Sequence, residues 1–175
     1  MNYIFSAIFL YFFLGFLLYI FQRRIVFNKS GHPGAPKDYN LDNTEEVYIK
    51  TEDNLKLLSW YHKGNNSLPL IVYFHGNSFH IGDRAYRIQR YIEKNWSVLL
   101  VSWRGFGGNK GNPTEKNLYK DAEAVLKWIK NNTEFKFKEL VIYGESLGSG
   151  VAVEMGTKYE FLSIVLEAPF TSIND

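Results

Sequence analysis

The residues from Tyr3 to Phe21 form an uncharged, almost wholly apolar segment that constrains the whole chain. The segment has 19 residues, made almost wholly of Phe, Leu, Ile and Tyr, and it carries no charge. As a helix it would span roughly 28 Å, close to the hydrocarbon thickness of a bilayer. It is apolar on all sides, which argues against a helix buried in a soluble core. We therefore predict a membrane-spanning anchor over residues 1–21.

The flanks of this segment argue against the alternative of a cleaved signal peptide. Such a peptide carries basic residues before its apolar run and small residues after it. Here the basic residues Arg23, Arg24 and Lys29 follow the run, and the sequence after Phe21 offers no small-residue cleavage site. The positive-inside rule then predicts that the rest of the chain lies in the cytoplasm.

The rest of the chain has the composition of a soluble domain. All 20 basic and 18 acidic side chains follow Phe21, and a net charge of +2 without a long basic run argues against a nucleic-acid partner. The lack of cysteine excludes disulfides, cysteine-ligated metals and a catalytic thiol. No metal-ligand spacing is present, and the loop 105–108 lacks the lysine and glycine spacing of nucleotide-binding loops. We expect no cofactor and no metal.

The apolar pattern predicts strands and helices in alternation. Residues 22–44, with two Gly and two Pro between 31 and 36, are interpreted as an irregular stalk. Segments 46–51 and 55–61 predict a β-hairpin. Apolar strands then alternate with helical patterns, the strands over 70–74, 98–101, 140–143 and 164–166 and the helices over 84–93, 112–129 and 146–159. This order predicts an α/β fold with a mostly parallel sheet covered on both faces.

The middle helix carries the clearest initiation signal. Asn112 can act as the N-cap, Pro113 suits the first helical position, and Glu115 stands where a capping-box carboxylate would. We therefore predict that this helix is capped by Asn112.

The segment from Gly144 to Gly148 matches the Gly-x-Ser-x-Gly pattern of a nucleophile elbow. It directly follows an apolar strand and opens a helix, as an elbow requires. In so tight a turn, a Cβ atom two residues before or after Ser146 would collide with neighbouring elements. Ser146 would stand above the sheet, at a helix N-terminus that favours developing negative charge. The alternatives are a Gly/Ser turn that merely packs and one that binds phosphate.

A serine nucleophile in acyl transfer also needs donors for the oxyanion. The N–H of Leu147, next after the serine, is predicted as one donor. His75, Gly76 and Asn77 follow the first parallel strand, and Gly76 lets the backbone approach the substrate, so the Asn77 N–H is the second candidate. His75 is interpreted as a loop residue that fixes the backbone, and His80 as a surface or loop residue.

At these positions the sequence resembles the α/β-hydrolase superfamily, and within it the branch of single-pass, membrane-anchored serine hydrolases that includes the abhydrolase-domain proteins. The resemblance runs from the anchor to Ser172. It is carried by residues 31–36, 73–77, 81–84, 103–108, 111–115, 143–152 and 167–172. It implies Ser146 as nucleophile, with Asn77 and Leu147 as oxyanion donors. The chain departs from the family at Ser102-Trp103, where Asp-Tyr is usual.

A second departure concerns residues 78–80, and a third the catalytic base and acid. Ser-Phe-His stands at 78–80 where the family has smaller residues, a change that can narrow or reshape the mouth of the site. In this fold the triad runs serine, acid, histidine. The chain's histidines all precede Ser146, at positions 32, 62, 75 and 80. Asp175 is not assigned the acid's role.

We therefore expect residues 45–175 to form a partial α/β-hydrolase domain. The last two strands, with acid and base, would be absent, which leaves residues 164–166 as an unpaired apolar edge. Three interpretations stay open: an N-terminal portion of an ester or thioester hydrolase that is inactive alone, a half-enzyme completed by a separately encoded chain, and a non-enzymatic membrane-anchored scaffold or binding module. A His80 base would need an unusual geometry. The anchor favours lipid-borne substrates.

Overall fold

Helices and strands alternate along the chain after an N-terminal helix. The computed structural model describes residues 2–26, 28–29 and 31–171; Ser172 and Asp175 lie outside the described residues. The helices are α1 (Asn2–Val26), α2 (Ala85–Ile92), α3 (Glu115–Asn132) and α4 (Leu147–Lys158). The strands of the main sheet are β1 (Thr44–Lys50), β2 (Lys56–His62), β3 (Leu70–Phe74), β4 (Ser97–Val101), β5 (Leu140–Glu145) and β6 (Ser163–Glu167).

One sheet organises the domain. Within the described residues its six strands lie in the order β1-β2-β4-β3-β5-β6. Strands β1 and β2 form the predicted antiparallel hairpin, and β2 also runs antiparallel to β4. The neighbouring strands β4, β3, β5 and β6 are parallel. The predicted α/β fold, with a mostly parallel sheet and an opening antiparallel hairpin, is confirmed.

Helices cover both faces of this sheet because its central strands are apolar on both sides. Every residue of β3 and of β4 is buried. On one face Leu118 of α3 and Val151 of α4 belong to the same apolar cluster as Val72. On the other face Ile88 of α2 belongs to a cluster with Trp60. The parallel strands therefore end together at one edge of a firmly packed sheet.

The N-terminal helix extends further than predicted. It ends at Val26 rather than Phe21, and its stretch from Tyr3 to Gln22 is long and apolar enough to cross a membrane. None of that stretch is buried against the rest of the protein. An exposed apolar helix of this kind has the length and composition of a membrane span.

The predicted stalk, residues 22–44, needs correction over its second half. Leu41 is only 2% exposed, and the Tyr39 ring centre lies 5.4 Å from that of Trp60. The Tyr39 hydroxyl donates to the Pro33 carbonyl at 2.6 Å. Glycine and proline do make this segment irregular, but its apolar side chains pack on the sheet. The globular part therefore begins before residue 45.

The start of α3 also differs from the prediction. Thr114 is the N-cap instead of Asn112, because its hydroxyl accepts a hydrogen bond from the Asn117 N–H at 3.3 Å. The Asn112 carbonyl accepts from the Asn117 side-chain amide at 3.1 Å. The helix therefore begins at Glu115.

A buried ion cluster ties the β1–β2 turn to α3. The Arg104 guanidinium, 2% exposed, donates to the fully buried Asp121 carboxylate at 2.6 and 2.8 Å. It also donates to Asp53 in the turn at 2.7 and 3.1 Å. These hydrogen bonds from Arg104, with one from Thr51, hold the pKa of Asp53 below its ordinary value. A cation taken out of water in this way depends on its anionic partners.

We expect the substitution Asp121→Ala to lower the free energy of unfolding by about 3–5 kcal/mol, because it leaves Arg104 buried without its closest partner. The matched control is Asp53→Ala, which removes a carboxylate that is 39% exposed and screened by solvent, at a cost of about 1 kcal/mol or less. Urea unfolding of the full chain in detergent micelles, followed by tryptophan fluorescence, measures both. Equal losses would contradict the assignment.

Candidate active site

The predicted site segments meet at the carboxyl edge of the parallel strands, where ligands bind in sheets of this kind. A Cβ atom placed on Gly76 would lie 3.4 Å from the Ser146 Cβ. The Trp103 ring N–H, in the loop after β4, donates to the His75 carbonyl at 2.9 Å. The structure thus brings Ser146, the loop 75–77 and the loop after β4 together.

The backbone at Ser146 is held in an unusual conformation. Ser146 is the N-cap of α4, with φ of +47° and ψ of −113°. Its N–H donates to the Glu167 carbonyl at 2.8 Å, and its carbonyl accepts from the Ser149 N–H at 2.8 Å. The Ser149 hydroxyl donates to the same carbonyl at 2.6 Å. A residue with a side chain rarely adopts a positive φ, and such strain concentrates at functional sites.

The glycines of the elbow are sterically required, as predicted. A Cβ atom on Gly144 would lie 2.6 Å from the Gly148 carbonyl oxygen. A Cβ atom on Gly148 would lie 2.0 Å from the Phe74 carbonyl oxygen at the end of β3. Both contacts are with backbone, which cannot move aside as a flexible side chain can. The turn therefore accepts only glycine at these two positions.

The two predicted oxyanion residues are chain neighbours of groups at the elbow: Leu147 directly follows Ser146, and Asn77 directly follows Gly76. Leu147 is the first residue of α4, where backbone N–H groups have no acceptor within the helix. Asn77 follows Gly76, whose Cα faces Ser146. The Asn77 side-chain oxygen accepts from the Ser78 hydroxyl at 3.3 Å.

An ion pair that the sequence analysis did not anticipate connects these two segments. The Arg84 guanidinium donates to the Glu145 carboxylate at 2.9 and 3.2 Å and to the Ser78 carbonyl at 2.7 Å. The Tyr73 hydroxyl also donates to Glu145, at 3.0 Å. Burial would raise the pKa of Glu145, but the hydrogen bonds and charge of Arg84 outweigh it and lower that pKa. Arg84 therefore positions the residue before Ser146 relative to the loop after Asn77.

His75 has the role that the sequence analysis gave it. The ring is fully buried, its Nδ1 lies 2.6 Å from the Gly76 carbonyl oxygen, and its Nε2 has no hydrogen-bond partner among the described residues. Burial lowers the pKa of His75 to about 4. The ring is therefore neutral at pH 7 and a weak base, and it holds the backbone beside Gly76.

The other histidines have partners of their own. The His80 Nδ1 lies 2.9 Å from the Asp83 carboxylate, in a loop, as predicted. His62 pairs with Val98 near the amino end of β4, whereas Ser146 lies at the carboxyl ends of the parallel strands. The His32 Nδ1 accepts from the Gly34 N–H at 3.1 Å. Among the described residues, no histidine forms a hydrogen bond to the Ser146 hydroxyl, and no group of His, Asp and Glu could hold a metal ion.

A groove borders the elbow on the helical side. It has a volume of about 500 Å³ and lies between the start of α3 and the start of α4. Leu147 and Phe170 contribute apolar walls, and Glu115 and Glu154 contribute carboxylates. A short apolar group bound near Ser146 would find a surface to contact there.

A parallel sheet with a strained serine turn at its carboxyl edge defines an α/β-hydrolase fold. The chain belongs to the α/β-hydrolase superfamily, because the family model Hydrolase_4, described as serine aminopeptidase S33, matches residues 66–175. The structure is similar to that of the esterase Pf2001 from Pyrococcus furiosus, with a TM-score of 0.68 and 28% identity, over 81% of this chain and 58% of the esterase.

The curated relatives confirm the predicted branch. Protein bem46 of Schizosaccharomyces pombe is 31% identical, over 93% of this chain and 58% of its own length. The lysophosphatidylserine lipase ABHD12 of Danio rerio is 29% identical, over 80% of this chain and 43% of its own length. The chain spans a little over half, 55 to 58%, of the first three curated relatives it matches.

We expect the substitution Gly148→Ala to lower the free energy of unfolding by about 3 kcal/mol or more, because its methyl group would overlap the Phe74 carbonyl. Gly31→Ala is the control, since a Cβ atom at Gly31 meets nothing within 4 Å; it should change stability by less than about 0.5 kcal/mol. Urea unfolding of the full chain in micelles gives both values. A stable Gly148→Ala variant would show that the turn tolerates a side chain.

The ion pair of Arg84 and Glu145 should show strong coupling in a double-mutant cycle. Arg84→Met and Glu145→Met each leave one buried charge unpaired and should cost about 3–5 kcal/mol of unfolding free energy. The double variant leaves none, so its loss should fall short of the sum by about 1–3 kcal/mol. The same cycle on the exposed pair Lys138 and Glu160 should show no measurable coupling. Additive losses at Arg84 and Glu145 would refute the positioning role.

Proposed function

We propose that this chain carries the nucleophile of a membrane-anchored serine hydrolase that cleaves carboxylic esters or thioesters. The observation that supports this most is the backbone of Ser146, held at a positive φ between two glycines that accept no side chain. Strained backbone of this kind is concentrated at functional sites, and here it presents the serine at the carboxyl edge of the sheet, where ligands bind.

In the proposed reaction the Ser146 Oγ attacks the acyl carbonyl carbon, and a general base takes the hydroxyl proton. The carbonyl oxygen becomes an oxyanion and accepts hydrogen bonds from the N–H groups of Leu147 and Asn77, beside the positive end of the α4 dipole. The acyl–oxygen or acyl–sulfur bond then breaks, the leaving group takes the proton, and water hydrolyses the acyl-enzyme. Each oxyanion donor would contribute roughly 2.7–4 kcal/mol to the transition state.

We place the general base and its acid in polypeptide outside these 175 residues, either in the same protein or in a second chain. His75 is buried with a lowered pKa, and His62 lies at the wrong edge of the sheet. In this fold both missing groups follow the nucleophile in the chain. The relatives are longer than this chain, which supports a contribution from further polypeptide.

The exposed edge strand β6 offers the site where such polypeptide would join. Ile164, Val165 and Leu166 are 38 to 39% exposed, so apolar side chains on both faces of the strand lack cover. The Glu167 carbonyl at the end of β6 accepts from the Ser146 N–H. A further parallel strand paired with β6 would therefore end beside Ser146 and could present a base there.

The membrane assignment and the substrate class are parts of the same proposal. Helix α1 has the length and composition of a single membrane span. The basic residues Arg23, Arg24 and Lys29 follow it, which favours a cytoplasmic domain. Relatives of this chain include a lysophosphatidylserine lipase and an esterase. An ester or thioester carried by a lipid fits both the anchor and these relatives.

A second candidate is a non-enzymatic membrane-anchored scaffold that has kept the elbow. The observation in its favour is that, in the described part of the chain, no histidine contacts the Ser146 hydroxyl. The two candidates differ in one respect that can be measured, namely whether Ser146 becomes nucleophilic when a base is supplied.

Imidazole in solution supplies such a base. We expect the 175-residue chain in micelles to react very slowly with a fluorophosphonate probe on its own. Added imidazole should raise the labelling rate in proportion to its free-base concentration, because it supplies a proton acceptor for the Ser146 hydroxyl. Mass spectrometry of the labelled peptide identifies the site, which should be Ser146.

The variants Ser146→Ala and Ser67→Ala are the matched pair for this experiment, since Ser67 lies in an exposed loop. Labelling should disappear in the first and persist in the second. Strong labelling without imidazole that is lost in His80→Ala would show that the base lies within this chain. No labelling of Ser146 at any imidazole concentration would favour the scaffold.

A further inference from the structure

A short parallel bridge joins the segment after α1 to the loop that carries the candidate oxyanion residue. Asn28 pairs with Ser78, and Lys29 pairs with Phe79, through their backbones. Ser78 directly follows Asn77 in the chain. The backbone that leaves the apolar helix is therefore attached to the rim of the candidate active site.

This attachment limits how far the rim can lie from a membrane that holds α1. The membrane-spanning stretch ends at Gln22, and the helix continues to Val26, which adds roughly 6 Å. The step from Val26 to Asn28 adds at most about 7 Å. The paired strand lies about 5 Å further. The backbone at Ser78 is therefore within roughly 18 Å of the hydrocarbon edge, and it lies nearer if the path is bent.

Phe79 projects an apolar ring from this rim. Its φ is +63°, a conformation that is costly for a bulky residue. The residue is 53% exposed, so the ring is not held by the core. The Arg84 guanidinium binds the neighbouring Ser78 carbonyl at 2.7 Å, which fixes the loop from the domain side while the bridge fixes it from the anchor side.

We propose that the rim at Ser78 and Phe79 is a membrane contact, in which the Phe79 ring enters the interfacial layer of the bilayer that holds α1. A strained backbone that presents an apolar ring to water stabilises nothing, whereas the same ring in the interface buries its apolar surface. The bilayer is the occupant because the chain's own helix brings it within reach of this loop.

The contact also specifies the substrate class, and this part rests on the proposed hydrolase function. Gly76, three residues before Phe79, faces Ser146. The mouth of the site would then open at the membrane surface. The substrate would be a lipid ester or thioester whose acyl chain resides in that bilayer and which reaches Ser146 without passing through water.

The chain has no cysteine, so a single introduced thiol can carry a nitroxide spin label at a chosen position. Phe79→Cys places the label at the rim. Leu162→Cys is the matched control. Leu162 is 55% exposed and lies just before β6, at the amino ends of the parallel strands, whereas the rim lies at their carboxyl ends. The full chain is reconstituted in phosphatidylcholine vesicles. Collision rates of each label with oxygen and with a water-soluble nickel chelate are measured by electron paramagnetic resonance.

We expect the ratio of oxygen to nickel collision rates to be several-fold higher at position 79 than at position 162. Equal, water-like ratios at both positions would overturn the proposal. Phe79→Trp gives a second and more conservative measurement, in which brominated lipids should quench the added fluorescence. A Phe79→Trp signal that is not quenched would also overturn it.

The measurements of label depth in the membrane do not depend on catalytic activity. Both depth measurements are repeated with Ser146→Ala, which should leave them unchanged, so they stand even if the hydrolase proposal fails. With imidazole present, the rate that depends on the protein is the excess over that of Ser146→Ala, because imidazole itself cleaves nitrophenyl esters. Phe79→Ser should lower this excess rate several-fold for a long-chain nitrophenyl ester in vesicles and leave it unchanged for nitrophenyl acetate. Equal rates of wild type and Phe79→Ser on the vesicle ester would refute the substrate class alone.

Discussion

The structure depends on the close approach of the first turn of α4 to the end of β3. At Gly148 the helix backbone lies so near the Phe74 carbonyl that no Cβ atom fits between them. The chain must therefore turn from β5 into α4 within the few residues from Gly144 to Gly148, and this forces Ser146 into a positive φ. The same packing puts Gly76, two residues after Phe74, against Ser146. The strain, the glycines and the position of the serine share one steric cause.

Buried charges hold the loops around this turn. Arg84 connects Glu145, next to the serine, with the carbonyl of Ser78 in the facing loop. Arg104, in the loop after β4, is fixed by Asp121 of α3. In each case the guanidinium has several acceptors in a rigid arrangement, which a lysine could not satisfy. The oxyanion side of the candidate site is therefore preorganised before any substrate binds.

Much of this arrangement could be predicted from local patterns. The strands, the hairpin and the elbow follow from apolar runs and glycine spacing, because these signals act over a few residues. The cap of α3 was misassigned because Asn112 and Thr114 both suit the role locally, and only the hydrogen bond to Asn117 decides between them. The packing of Leu41 could not be seen, since its burial depends on partners in distant strands. The pair of Arg84 and Glu145, 61 residues apart, was invisible for the same reason.

The sheet order explains how the two proposals fit together. Strand β5, which delivers Ser146, lies between β3 and β6. The loop after β3 carries Asn77 and the proposed membrane contact on one side of the serine. The open edge of β6, where we place the source of the base, lies on the other side. Acyl transfer needs oxyanion donors and a proton acceptor at different positions around one carbonyl carbon. Because the elbow is fixed by backbone contacts, the serine cannot move towards a distant base, and in our proposal the base therefore approaches the serine from the β6 side.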